Sequence, residues 1–445
     1  MTTTISRRNA GRLAGLALLA CAILQPTGAT AHEPNQDNQV LEWNQIFIET
    51  LIATNAVNSA SPRLGAIVHT AIFDAYNGIE DRYTPILVQP AALPGASPRA
   101  AVIAAAHTVL AGLFPTRQAE LDANYAASLA ALDVDQGAWD ADQRASAWQS
   151  RQRGIDWGTA VAQAVLAWRA TDGFSTSYPA FTGGTQVGQW RPIAPATSMS
   201  AQSMAFTGMF VLESNTQFRP PPPRALGSAT YTADFNAVKA LGRNTGSTRT
   251  EDQTVLAPFW EGNASVHWNQ AANQIARANR LSLSRANRLL ATLNIAMADT
   301  VFTIWSAKRF YADVASEVTW RPFTAITLAD TDGNPDTVAD TAWLPSMPTP
   351  SHPEYPAGHP SLNGAAATIL LDNFSDCQTF TLTTAGQPQS RTYTRISKAR
   401  SDGNNARVWG GMHYPSSVAI SDAVGKSVAR YVDRNSMQKV QRKRD

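Results

Sequence analysis

From Arg63 to Ile79 the apolar positions Leu64, Ile67, Ala71, Ile72 and Ala75 recur three or four residues apart, which predicts a helix with one buried face. The same spacing predicts helices over 101–113, 118–132, 143–170, 230–241 and 264–278. It is most sustained over 285–310, where Leu289, Leu293, Met297, Val301, Ile304 and Trp305 keep it for about five turns. After Trp320 the pattern gives way to a long irregular stretch ending at His359. Three more helices are predicted beyond it, over 361–374, 397–407 and 416–432, with a short polar excursion after the first. Breaker residues separate these runs: glycines and a tryptophan over 182–195, and the four prolines after Arg219, which predict a rigid polyproline connector. No segment sustains a period of two, and there is no internal repeat. The predicted fold class is all-α, a large helical bundle.

Length and composition narrow this further. A chain of 445 residues buries a sizeable core as one large domain, and 44% apolar with 16% charged residues is a globular balance. The first 31 residues read as a signal peptide. Arg7 and Arg8 precede an apolar run from Leu13 to Leu24, and Ala29-Thr30-Ala31 supplies small residues for cleavage. The paired arginines predict the twin-arginine route and an exported, periplasmic or secreted, protein. The apolar run is shorter than the roughly 20 residues of a bilayer span, so no stable membrane anchor is expected. Cleavage removes three arginines and no acid, turning 36 basic against 34 acidic groups into 33 against 34, a net charge of −1. That balance excludes nucleic acid as an expected partner. Cys21 falls in the leader, which leaves Cys377 without an intramolecular partner in the processed chain. Residues 439–444 form a basic run that reads as a solvated tail.

Three segments in the last third place cations or histidines beside glycine and proline. They are Trp320-Arg321-Pro322, preceded by Lys308; Pro356-Ala357-Gly358-His359; and Arg407 with His413 six residues on. Gly358 and His359 stand at the start of a predicted helix, where free backbone N–H groups and the positive end of the dipole attract an anion. Arginines and a lysine brought to that place would neutralise the oxygens of a tetrahedral oxyanion, guanidinium matching them two at a time. One histidine would bond the central atom and the other would move protons near neutral pH.

These segments resemble the split signature shared by vanadium-dependent haloperoxidases and the phosphatidic-acid-phosphatase type 2 acid phosphatases: lysine, then arginine-proline; proline-serine-glycine-histidine; arginine spaced before a final histidine. The stretch Arg63-Leu64-Gly65-Ala66-Ile67-Val68-His69-Thr70-Ala71-Ile72-Phe73-Asp74-Ala75 and residues 218–223 are similar to bacterial members of the haloperoxidase branch. The resemblance implies a core four-helix bundle with additional N-terminal helices, residues 32–280 mainly covering and 281–435 carrying the oxyanion site within a single domain. It implies that His413 coordinates vanadium, or in a phosphatase takes the phosphoryl group, and that His359 is the acid–base histidine. Lys308, Arg321, Arg407 and the Gly358 N–H would form the oxyanion cradle. His352 falls where algal bromoperoxidases carry a second histidine, which points to bromide ahead of chloride. The implied cofactor is vanadate, and the implied substrates are small molecules: hydrogen peroxide, a halide and an organic acceptor. A phosphoesterase working through phosphohistidine, with a phosphate ester as substrate, is the alternative; a non-catalytic exported anion-binding protein is the next.

The chain departs from the pattern at three places. Ala357 stands where the family has serine, removing a hydroxyl donor. Lys308 precedes Arg321 by thirteen residues, nearly two helical turns more than the family spacing, so either an insertion loops out between Arg309 and Thr319 or the lysine has a different role. Ser417 replaces an aspartate one turn after the last histidine and leaves the orienting partner of His413 unidentified. Separately, Asp330, Asp332, Asn334 and Asp336 alternate like calcium ligands, but the glycine is misplaced for an EF-hand and no acid closes the loop at Thr341. A turn held by its own Asx side chains is the expectation there, not calcium.

Overall fold

Most helices begin where a capping side chain sits just ahead of an apolar stripe. A computed structural model of the chain describes residues 38–132, 140–384 and 389–441; the leader read over 1–31 and residues 442–444 of the basic tail lie outside them. In chain order the elements are α1 (Gln39–Ala53), α2 (Ser61–Glu80), α3 (Pro98–Leu113), α4 (Gln118–Ala131), α5 (Ala141–Ala170), α6 (Ala229–Leu241), α7 (Glu251–Phe259), α8 (Ala264–Ala278) and α9 (Leu283–Asp313). There follow α10 (Pro322–Thr327), α11 (Gly358–Asn373), a hairpin of β1 (Phe380–Thr383) and β2 (Ser390–Tyr393), α12 (Ile396–Trp409) and α13 (Pro415–Asn435). The architecture is all-α apart from that hairpin. Ser97 caps α3 by accepting from Ala100 N–H, Asp140 and Gln143 form a reciprocal capping box on α5, and Ser282 caps α9.

Helix α9 is the centre of the molecule. It packs against α2, α11 and α13, and α2 in turn carries α3 and α5. Its length and apolar character would suit a membrane span, but the apolar window is wholly buried inside the bundle. That is the signature of a core helix covered on every face. Next to it, α11 and α13 lie in close contact because each has a glycine at the crossing. A Cβ on Gly425 would collide with the Ser361 carbonyl oxygen, and one on Gly364 with that of Asp422. The proline run after Arg219 is braced by two tyrosines: Tyr311 Oη donates to Pro220 O at 2.6 Å and Tyr355 Oη to Pro221 O.

Helices α1, α7 and α10 and the hairpin were not among the expected elements. In α1 the buried Val40, Leu41, Trp43, Phe47, Ile48 and Leu51 do keep helical spacing along one face, so this stripe is present in the sequence and was not read as a helix. In α7 only nine residues are helical and Pro258 lies inside, so its clearest signal is the Thr250 and Gln253 capping box. The hairpin owes its place to tertiary partners: Gln274 of α8 bonds both N–H and C=O of Thr381, and Gln270 accepts from Thr383 N–H. Cys377, expected to lack a partner once the leader is removed, is disulfide-bonded in the full chain; the other cysteine, Cys21, lies outside the described residues. In the 330–337 loop the side chains serve the loop itself. Asn334 N–H donates to Asp332 Oδ1, Asp336 N–H to Asn334 Oδ1 and Thr337 Oγ1 to Asp332 Oδ2, the Asx turns the sequence predicts.

Candidate active site

The site is built on the N-terminus of α11. Ala357 precedes the helix and offers no side-chain cap; its own N–H is taken by Ser421 Oγ of α13 at 2.7 Å. Gly358 and His359 open the helix, and Pro360 has no N–H to give. The N–H groups of Gly358 and His359 therefore stand at the positive end of a helix dipole with no acceptor among the described residues. A side chain on Gly358 would press on the Trp305 ring at 3.3 Å, so glycine keeps this approach open.

Around that end lies a cavity of about 180 Å³ lined by His352, Gly358, His359, Arg407 and His413, together with Trp305, Glu261 and Asn58. Five of the expected site residues thus line one cavity. Arg321 and Lys308, both fully buried, are not among the lining residues. Arg321 sits immediately ahead of α10, whose first residue is Pro322. Its Nη1 donates to Met412 O at 2.8 Å and reaches His413 Nε2 at 3.2 Å, while Nε donates to His352 O and Nη2 lies 2.9 Å from His352 Nδ1. Because guanidinium only donates, both histidine nitrogens facing it are acceptors. Helix α9 continues unbroken past Lys308 to Asp313, and a loop then returns the chain to Arg321, so the added spacing is absorbed after the lysine. Lys308 Nζ donates to Pro353 O at 2.6 Å and Glu354 O at 3.1 Å. Both bonds hold the loop ahead of α11, and burial followed by the Arg321 charge holds the Lys308 pKa well below its ordinary value.

The orienting partner of His413 is Glu354. His413 Nδ1 is 2.8 Å from Glu354 Oε1, which also accepts from Tyr414 N–H at 3.1 Å. Oε1 acts as acceptor, so Nδ1 carries the proton and Nε2 presents its lone pair toward Arg321. Burial, then the charges of Arg321, Lys308 and Arg407, hold the His413 pKa well below the ordinary value. Burial followed by Lys308 and Arg321 does the same to His352, and burial followed by Arg407 brings His359 down to about 4, with Glu261 opposing. All three rings are neutral at pH 7. Burial pushes the Glu354 carboxyl up to about 7 against the pull of Lys308 and Arg321.

Arg407, in the last turn of α12, pairs through Nη1 with the Glu261 carboxylate and through Nη2 with Met412 Sδ at 3.2 Å. Burial alone would raise the Glu261 pKa, but Arg407 and His359 outweigh it and the net shift is downward. Arg407 Nε and Trp305 Nε1 are buried with no partner. Two backbone donors and two side-chain donors thus lie unsatisfied around one cavity, and buried donors of this kind are costly unless a ligand supplies acceptors. A tetrahedral oxyanion does so, and the residues present fit vanadate or phosphate in that respect.

Glu354, Glu261, Asn58 and Trp305 were not read as site residues. Trp305 belongs to the α9 stripe and reads as core, and Asn58 and Glu261 come from segments well ahead of the signature. Glu354 was within reach, an acid inside the proline-rich segment that ends in the helix start.

Residues 288–442 match the family model of the VCPO second helical-bundle domain. No curated protein is detectably similar in sequence. Among solved structures, that of a bacterial vanadium-dependent iodoperoxidase superposes with a TM-score of 0.71 at 21% identity, covering 91% of this chain and 98% of the other. A holo-type bacterial vanadium-dependent chloroperoxidase superposes with a TM-score of 0.63 at 16% identity, covering 84% of this chain and 91% of the other. The bundle that supplies most of the cavity thus matches the VCPO second helical-bundle family model, and the chain as a whole has the fold of these vanadium-dependent peroxidase structures.

Proposed function

We propose that the chain is a vanadate-dependent peroxidase that oxidises halide with hydrogen peroxide, bromide ahead of chloride. The observation that carries this is the line Glu354, His413, Arg321: it keeps the His413 proton on Nδ1 and leaves Nε2 an unprotonated acceptor, here of Arg321 Nη1, beside a cavity whose buried donors have no acceptor. Vanadate held there would supply a Lewis-acidic centre that activates hydrogen peroxide toward halide without a change in metal oxidation state. His413 Nε2 would hold the central atom. Arg407 and the Gly358 N–H would hold the oxygens, with Arg321 and Lys308 adding positive charge from behind the lining, in a site preorganised for negative charge. His359 would move the proton. His352, its ring centroid 5.1 Å from that of Trp305, would lie beside the halide, and it is this second histidine that favours bromide. The iodoperoxidase and chloroperoxidase folds and the signature in the last third support the reading, and the paired arginines of the leader support an exported protein.

The same lone pair would accept a phosphoryl group, with His359 protonating the leaving alcohol, so a phosphatase is tested alongside. The purified chain, loaded in turn with vanadate and phosphate, is assayed for oxidation of iodide, bromide and chloride and for phosphate ester hydrolysis. Halide oxidation that requires vanadate and is inhibited by phosphate is the expected result. Ester hydrolysis without halide oxidation would replace the reading with the phosphatase, and anion binding without turnover would leave a binding protein.

A further inference from the structure

His359 is anchored from outside the C-terminal bundle. Asn58 lies in the loop between α1 and α2, and its Nδ2 is 2.8 Å from His359 Nε2. Two other bonds fix the orientation of that amide. Nδ2 donates to Gly262 O at 3.2 Å, and Oδ1 accepts from Ala264 N–H at 3.2 Å. Exchanging the amide's N and O would set oxygen against oxygen and N–H against N–H, so the atom facing the ring is a donor. His359 Nε2 must then accept, and a neutral imidazole that accepts at Nε2 carries its proton on Nδ1. The loop is itself held in place: Asn263 Nδ2 donates to Ala56 O at 3.2 Å and Ser61 Oγ at 2.7 Å.

We propose that Asn58 is a positioning residue that fixes His359 as the Nδ1–H tautomer, so that this histidine offers an anion in the cavity a hydrogen-bond donor, not a basic lone pair. The proposal rests on the oxyanion-site reading for its purpose but not for its geometry. A histidine left to choose its tautomer would present the wrong nitrogen part of the time, and the apparent affinity for an anion falls by the fraction in the wrong state. The groups whose charge acts on the ring are Arg407 and Glu261, and His267 is coupled to it from α8. The Gly262 and Glu261 backbone carbonyls also act on the ring as acceptors of its one proton, and it is the Asn58 bond at Nε2 that assigns that proton to Nδ1.

The test uses the full chain with ring-¹⁵N histidine and no vanadate, the His359 signals being assigned by their loss in His359→Gln. At pH 7 the expected pattern is a protonated Nδ1 and a bare Nε2. In Asn58→Asp a carboxylate faces Nε2, so the proton is expected to move there and the titration midpoint to rise by about one unit. In Asn58→Leu both tautomers are expected, and inorganic phosphate should bind about twofold more weakly. A wild-type ring protonated at Nε2, or an Asn58→Asp chain folded by circular dichroism with both nitrogen signals unmoved, would overturn the proposal. Should the variants fail to fold, the wild-type spectrum decides alone. If wild-type protein binds neither phosphate nor vanadate while the tautomer is as stated, the functional reading fails and the assignment of Asn58 stands.

Discussion

His413 depends on a bond made on its far side. Glu354 accepts from Nδ1–H and so leaves Nε2 bare; a neutral amide there would hold the ring less firmly and less basic. Glu354→Gln is expected to weaken vanadate binding about 10- to 100-fold, the usual cost of losing such an outer partner, as measured by calorimetric titration. His413→Ala should abolish both bound vanadium and turnover, since surrounding charge does not replace the ligand to the central atom; retention of either would mean that another histidine does this work. Ala357 gives a subtler case. A serine there would cap α11 by accepting from His359 N–H, which takes one donor from the anion while the new O–H returns one. Ala357→Ser should therefore stabilise the anion-free chain by about 1 kcal/mol and change phosphate affinity by less than about threefold; a large loss of affinity would mean that the His359 N–H is the principal donor. His413, His359 and Arg407 were legible because short motifs mark them. Glu354 and Asn58 were not, because a residue that acts through another carries no spacing of its own.

At the scale of elements, ten of the helices were readable to within a few residues because apolar positions recur along them at helical spacing. Of those missed, α7 contains a proline, α10 is short and the hairpin is held by glutamines of α8, whereas α1 carries a stripe that was not read. The loop that sets the cavity is in turn held by helix packing. Because α11 and α13 touch through glycine, Gly425→Ala must push a methyl against the Ser361 carbonyl. The expected cost is about 1–3 kcal/mol, read as a lower midpoint in urea. If α11 shifts in response, anion affinity falls as well, since its first N–H groups move with it. An unchanged midpoint would show that the two helices separate freely.

Across the whole molecule, buried neutral histidines tie stability to pH. His69, on α2, is fully buried and donates through Nε2 to Asn44 Oδ1 at 2.9 Å, and burial brings its pKa down to about 3. The unfolded chain takes up a proton near pH 6.5 and the folded chain does not until about 3. Between those values the unfolded state binds more protons, so stability is constant above about 6.5 and falls as the pH drops, by up to about 1.4 kcal/mol per pH unit for each such histidine. His267 shares the same direction from burial. His69→Gln should remove one proton from the slope of unfolding free energy against pH; an unchanged slope would mean that His69 is already charged in the fold.

The stretch that brings Asn58 to the cavity also has a practical consequence. Val57, its neighbour, lines the cavity and is 66% exposed, so one short loop forms part of the rim while the charges sit on separate elements far along the chain. Aperture and electrostatics are then separately adjustable. A library varied at Val57 and Ser59 alone, with Asn58 kept, would alter which acceptors reach the cavity and leave intact the machinery that binds the anion, a division that suits the chain to being retuned for new substrates.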